Sequence, residues 1–159
     1  MQDARGSSRD VARVLAHVHG KNVRHADLSG RNLLLDADRR ILLCDFAGSS
    51  INGQAATVVA EDGYRHPSES EYTGPTLRCE IHTLGSTMYE IITGKEPHHD
   101  SDKEAAGRLL EQGEYPDVSK VPLGEVVRKC WAGALESGAE VAQEISRCLN
   151  GIVGRQVWG

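Results

Sequence analysis

Cysteine is sparse and unpaired in this sequence. The four thiols, Cys44, Cys79, Cys130 and Cys148, are widely separated and form no Cys-x-x-Cys, so the spacing suggests neither a zinc site nor a disulfide framework. Reduced thiols in a cytoplasmic or otherwise intracellular compartment are the expectation. Basic residues are also few: 18 Lys and Arg stand against 23 Asp and Glu, a net charge of -5. No Lys/Arg stripe forms, which argues against a nucleic-acid-binding surface. No apolar run approaches the roughly 20 residues a membrane helix needs, and no charged-then-apolar leader opens the chain, so a soluble protein with no membrane partner is expected. Internal repeats and low-complexity linkers are missing too. What is present is 159 residues, 39% of them hydrophobic, enough for one compact domain with a core of its own.

Most of the polar chemistry lies in residues 23–50, VRHADLSGRNLLLDADRRILLCDFAGSS. His25-Ala26-Asp27 is followed five residues later by Asn32, then by the apolar Leu33-Leu34-Leu35, a polar Asp36-Ala37-Asp38 turn and the apolar Ile41-Leu42-Leu43-Cys44. Two short strands joined by a tight turn fit this pattern. The second strand runs into Asp45-Phe46-Ala47-Gly48, so an amide and a carboxylate flank one hairpin. Both offer hard oxygens, and Mg²⁺, which keeps several waters, needs little more beside a nucleotide. Each residue alone has a plainer use: Asp27 as a turn former, Asn32 as an amide satisfying loop backbone, Asp45 as a strand-end Asx turn. Their joint order and spacing favour the phosphotransfer reading.

This stretch resembles the catalytic loop and metal-binding motif of protein kinases, in which His-x-Asp-x-x-x-x-Asn precedes a strand ending in Asp-Phe-Gly. The resemblance implies that Asp27 is the base accepting the substrate hydroxyl proton and that Asn32 and Asp45 hold Mg²⁺ and, through it, ATP. It makes His25 a brace for the loop and gives Arg31 the place of the Arg in tyrosine-kinase-like loops. Ser29 replaces the Lys that Ser/Thr kinases carry two residues after the catalytic Asp, so transition-state charge falls to Arg31 or another group.

The remainder is expected to be mainly α with small β-hairpins, one partial domain: catalytic loop 23–32, metal motif 45–48, activation segment 45–68 and helical remainder 79–150. Ser7 or Ser8 is expected to cap a first helix ending near Gly20, with Val11, Val14, Leu15 and Val18 at helical spacing. Residues 47–62 are small, polar and unperiodic, which suits a mobile segment better than a strand or helix. Ala26 stands where phosphorylation-controlled kinases carry an Arg, so a phosphate switch on Ser49, Ser50 or Thr57 is not expected. Gly63-Tyr64-Arg65-His66-Pro67-Ser68 resembles the Gly-Tyr-x-Ala-Pro-Glu end of such a segment. Ser68 takes the place of the Glu, and 136–138 take the place of its Arg partner, so the ion pair is absent from both sides.

Residues 79–93 carry Ile81, Leu84, Met88, Ile91 and Ile92 in a buried-helix pattern closed by Gly94 and Pro97. Glu80 in it reads two ways: as an acceptor for catalytic-loop amides, or as a helix-start carboxylate favoured by the dipole. Ser101-x-x-Glu104 is expected to cap a helix through about Gln112, residues 123–132 to form a short helix containing Cys130-Trp131, and Ser137-x-x-Glu140 to cap the last. His98, His99 and Asp100 read as a solvated turn rather than a metal site.

Nothing upstream of His25 supplies a Gly-rich phosphate loop, a strand Lys or its partner Glu, since Lys21 is the one lysine there and the other four follow. The nucleotide-roofing lobe is therefore expected to be missing, and the chain by itself inactive. The leading expectation is a protein kinase-like phosphotransferase, truncated or incomplete, acting on ATP and a protein substrate. The alternatives are a silent pseudokinase-like domain binding a partner protein on the exposed lobe face, and a small-molecule phosphotransferase of the aminoglycoside or choline kinase type.

Overall fold

The computed structural model describes residues 4–69 and 74–155. Five helices, α1 (Ala4–Gly20), α2 (Leu77–Thr93), α3 (Lys103–Glu111), α4 (Gly124–Ala132) and α5 (Gly138–Arg155), carry two small antiparallel sheets. Strands β1 (Val23–Arg24), β2 (Leu33–Leu35), β3 (Ile41–Leu43) and β4 (Ser50–Ile51) pair as β1 with β4 and β2 with β3. The fold is thus mainly helical with small hairpin-like sheets, as the sequence implies.

Helix α2 is the hub. Thr76 caps it by accepting the Cys79 N–H at 3.1 Å, and Gly94 ends it in the left-handed region at φ 72°, where a side chain would be strained. Ten consecutive residues from Cys79 to Met88 are buried, because both α1 and α4 pack against α2. The approach to α4 is close: a Cβ on Gly85 would lie 2.8 Å from the Cys130 Cβ, and Trp131 Nε1 donates to Ser86 Oγ at 3.0 Å. Helices α1 and α5 cross where a Cβ on Gly138 would meet the Ala12 carbonyl at 2.6 Å. Val11, Leu15, Ile81, Leu84, Met88, Val127 and Ile145 fill the core between them. Leu28, from the loop after β1, is buried in the same core, which anchors that loop by about 1.5–3 kcal/mol of apolar burial.

Local signals differ from expectation in four places. Helix α1 starts at Ala4, and Ser8, rather than capping, is buried within it with its hydroxyl donating to the Ala4 carbonyl four residues back. Helix α3 is capped by Asp102, not Ser101: the Asp102 carboxylate accepts the Ala105 N–H at 2.8 Å. The stronger acceptor, one residue later, takes the position. Helix α2 begins at Leu77, two residues before the expected start. Residues 47–62 contain a strand after all, since Ser50–Ile51 pairs with Val23–Arg24 in register Val23↔Ile51 and Arg24↔Ser50. Two residues are too few for alternation to betray a strand. At α5 the expected cap is present, with Ser137 Oγ accepting the Glu140 N–H at 3.1 Å.

Candidate active site

The β1–β4 pair closes a loop: the chain leaves at Arg24 and returns at Ser50, and everything chemical lies between. The β2–β3 hairpin fills it in register Leu33↔Leu43, Leu34↔Leu42 and Leu35↔Ile41. One step beyond that register, the Cys44 N–H donates to the Asn32 carbonyl at 2.9 Å. Asp45 is therefore next in sequence to the residue opposite Asn32, as the flanking-hairpin reading requires.

His25 ties the parts together. It is buried; its Nε2 bonds the Cys44 carbonyl at 2.9 Å and its Nδ1 accepts the Asp27 N–H at 3.2 Å. A carbonyl on one side and an amide on the other assign the hydrogen to Nε2. The Phe46 ring meets the imidazole edge-on at 4.9 Å, and Ser49 Oγ donates to the His25 carbonyl at 2.9 Å. Ser49 is thus part of the scaffold, so its removal costs a hydrogen bond irrespective of any phosphate.

Asn32 Nδ2 donates to the Asp27 carbonyl oxygen at 2.7 Å and to Asp27 Oδ2 at 3.2 Å. With the amide nitrogen spent on Asp27, Asn32 Oδ1 has no protein partner among the described residues. Asp45 is exposed, stands at φ 59°, and makes no ion pair there either. A non-glycine residue in the left-handed region is the kind of strained conformation that collects at functional sites. Two hard oxygens fit Mg²⁺, whose remaining positions are taken by water and phosphate. Among the described residues no group of three or more His, Cys, Asp or Glu side chains gathers to hold a metal.

Arg31 is half exposed, with Nη2 3.9 Å from Asp27 Oδ2 and Nη1 on the Glu61 carboxylate. Ser29 is buried, and its hydroxyl has no partner among the described residues. Of the two readings of Glu80, the first holds. Buried in α2, its Oε1 accepts the Ala26 N–H at 2.7 Å while Oε2 lies 2.5 Å from His19 Nε2 of α1. Ala26 itself is at φ 72°, a conformation for which that carboxylate supplies the anchor.

Other carboxylates matter that sequence reasoning did not single out. Glu90 Oε2, on α2, accepts both the Gly30 N–H and the Tyr64 hydroxyl at 2.9 Å. It fastens the loop after β1 to Tyr64, and a Cβ on Gly30 would meet it at 2.6 Å. Burial, with Glu90 beside it, holds the Tyr64 hydroxyl protonated far above its ordinary range. His82 Nδ1 bonds the Tyr64 carbonyl and Nε2 the Tyr115 hydroxyl, each at 3.0 Å. Burial, with His66 adding to it, brings His82 down to about 4.

At the end of the segment, Ser68 is exposed, but Glu69 one residue further is buried with Oε2 unpartnered among the described residues. On the other side, the Arg78 guanidinium from α2 packs against Gly133 and its Nε donates to His66 Nε2 at 3.3 Å. A buried carboxylate and a guanidinium therefore exist in this region, at positions other than those matched. Burial, with the charge of Glu80 beside it, pushes the Glu69 carboxyl up to about 7 from an ordinary 4.5. A raised carboxyl stabilises the fold in its protonated form. The contribution is full below pH 4.5 and is lost as the pH rises through about 7. Glu69→Gln, neutral throughout, should therefore gain on the wild type by roughly 2–3 kcal/mol between pH 5 and pH 8. Denaturant unfolding of both proteins at the two pH values checks this. The His82 contribution, lost as pH falls from 6.5 toward 4, cancels in the difference. Parallel pH profiles would show Glu69 to be ionised in the folded state.

Residues 1–150 match the family model described as Protein kinase domain, and the chain belongs to that family. It is similar to the serine/threonine-protein kinase STY46 of Arabidopsis thaliana, 26% identical over 129 residues, covering 77% of this chain and 22% of that protein. It is also similar to the dual specificity protein kinase pyk3 of Dictyostelium discoideum, 26% identical over 129 residues, covering 77% of this chain and 10% of that one. Cell division control protein 7 of Schizosaccharomyces pombe is 31% identical over 110 residues, 68% of this chain and 10% of its own length. The chain thus spans about a fifth or less of the curated relatives it matches. No helix among the described residues is long and apolar enough to cross a membrane.

Proposed function

We propose that this chain is the catalytic-loop part of a protein kinase, moving the γ-phosphoryl of ATP to a protein hydroxyl. One observation carries the reading: Asn32 holds the Asp27 carboxylate with its side-chain nitrogen while its main-chain carbonyl accepts the N–H of Cys44, the residue before Asp45. Asp27 takes the hydroxyl proton as the new O–P bond forms and the bond to the ADP oxygen breaks. Asn32 and Asp45 would hold Mg²⁺, which when bound would supply positive charge against the phosphates. Arg31 adds the nearest cation and His25 keeps the loop in place. STY46, named as a serine/threonine-protein kinase, favours a seryl or threonyl hydroxyl. Residues 23–32, 45–48 and 45–68 act here as catalytic loop, metal motif and activation segment.

A partner on the hairpin face is a companion proposal. Leu34, Leu35, Leu42 and Phe46 are each 40–53% exposed, an apolar patch that favours cover by protein surface.

Amide NMR of the ¹⁵N-labelled chain tests the site. Mg²⁺-ATP should shift the signals of Asn32 and Asp45, and Asp45→Asn with Asn32→Ala should erase the Mg²⁺ dependence. Asp27→Asn should bind as the wild type does. A Mg²⁺ response centred away from the hairpin would dispose of the assignment.

A further inference from the structure

Glu61 lies in the activation segment, 30 residues from Arg31 and 42 from Lys103, yet it is ion-paired to both. One carboxylate oxygen receives Arg31 Nη1, and the other lies 3.3 Å from Lys103 Nζ at the start of α3. Arg31 Nη2 in turn is 3.9 Å from Asp27 Oδ2. Four alternating charges therefore run from α3, across the segment, to the base in the catalytic loop. Glu61 is fixed from its main chain as well: its carbonyl accepts the Tyr64 and Arg65 N–H groups at 3.0 and 2.9 Å.

Arg31 needs such a partner. Its side chain is 51% exposed, and an exposed pair at 3.9 Å does not by itself hold a long flexible side chain. No other Lys or Arg comes within ion-pair distance of Asp27 among the described residues. Where a kinase under phosphate control would present a phosphorylated hydroxyl to its loop arginine, this chain has Ala26 before Asp27 and a carboxylate already on Arg31. A carboxylate accepts the guanidinium fork in the same manner as a phosphate, and Lys103 balances the charge that Arg31 leaves over. Without Glu61, both guanidinium nitrogens are free to fold onto Asp27 and occupy the oxygen that accepts the proton.

We propose that Glu61 is a positioning residue: with Lys103 it clamps Arg31 between the activation segment and Asp27, setting the phosphoryl-facing cation without any phosphorylation. This rests on the phosphotransfer reading for its role and on geometry alone for the clamp. Arginine side-chain NMR of the 159-residue chain separates the two. In the wild type the Arg31 Nη signals, assigned by their loss in Arg31→Lys, should show hindered rotation about Nε–Cζ and should move when Mg²⁺-ATP is added. Glu61→Gln should speed that rotation roughly tenfold and abolish the nucleotide-induced movement. Glu61→Asp should restore part of both, and Lys103→Met should loosen Arg31 less than Glu61→Gln does. Unchanged Arg31 rotation in Glu61→Gln, with core methyl signals intact, overturns the clamp. Should Glu61→Gln not fold, Lys103→Met decides: no change in Arg31 there overturns it equally. A held Arg31 with no Mg²⁺-ATP shift at Asn32 or Asp45 defeats the phosphotransfer reading and the clamp's role with it. Those shifts beside a freely rotating wild-type Arg31 defeat the clamp alone.

Discussion

Glu80→Ala is expected to destabilise the protein by about 3–5 kcal/mol, lowering the thermal midpoint by roughly 6–20 °C for a domain of this size. The carboxylate is 3% exposed and serves two elements at once, the Ala26 N–H of the loop after β1 and His19 of α1. Removing it leaves a buried amide and a buried imidazole without an acceptor, each a desolvation cost with no return. The loss does not stay local. Ala26 at φ 72° holds its conformation against that acceptor, so the loop carrying Asp27 and His25 should relax together with it. Glu80→Asp, one methylene shorter, cannot span both partners and should fall between. Calorimetry gives the midpoint, and hydrogen exchange at Ala26 and Asp27 gives the loop. A midpoint within two degrees of wild type would mean that Glu80 is an ordinary helix-start carboxylate after all.

That Glu80 had two readings in the sequence shows where legibility stops. Residues 79–93 announce a buried helix through Ile81, Leu84 and Met88, and the hairpin announces itself through two apolar triplets around a polar turn; both are found. These signals are local, carried by spacing within one element. The joint spacing of His25, Asp27, Asn32 and Asp45 was legible for the same reason, since one hairpin sets it. The β1–β4 pair was not, because two residues carry no period. Nor were the carboxylates that bind the site to its surroundings. Glu61 reaches Arg31, Glu90 reaches Gly30, and Glu69 is buried without a match. Such partners are chosen by the tertiary fold, and a Glu in a loop or on a helix looks the same in sequence whether it meets water or an amide 60 residues away.

The 159-residue chain on its own is expected to bind Mg²⁺-ATP weakly, with a Kd above about 100 µM, or no better than roughly -5.5 kcal/mol, and to transfer phosphoryl negligibly. Its proposed site consists of Asp27 bonded to Asn32, the exposed Asp45, and Arg31 paired to Glu61. Phosphoryl transfer depends almost wholly on positioning and on meeting the charge of the phosphates. Of its five lysines, Lys21 precedes His25 by four residues and Lys103 is already paired to Glu61. Ser29 is buried where a loop lysine would otherwise stand. Residues 1–24 hold no Gly-rich run. The apolar patch of Leu34, Leu35, Leu42 and Phe46 lies open, so water reaches the site and weakens each electrostatic contact in it. Isothermal titration with Mg²⁺-ATP beside a radiolabel transfer assay decides the matter. Binding in the low micromolar range, with turnover that vanishes in Asp27→Asn, would establish that these residues suffice to position and neutralise the phosphates unaided.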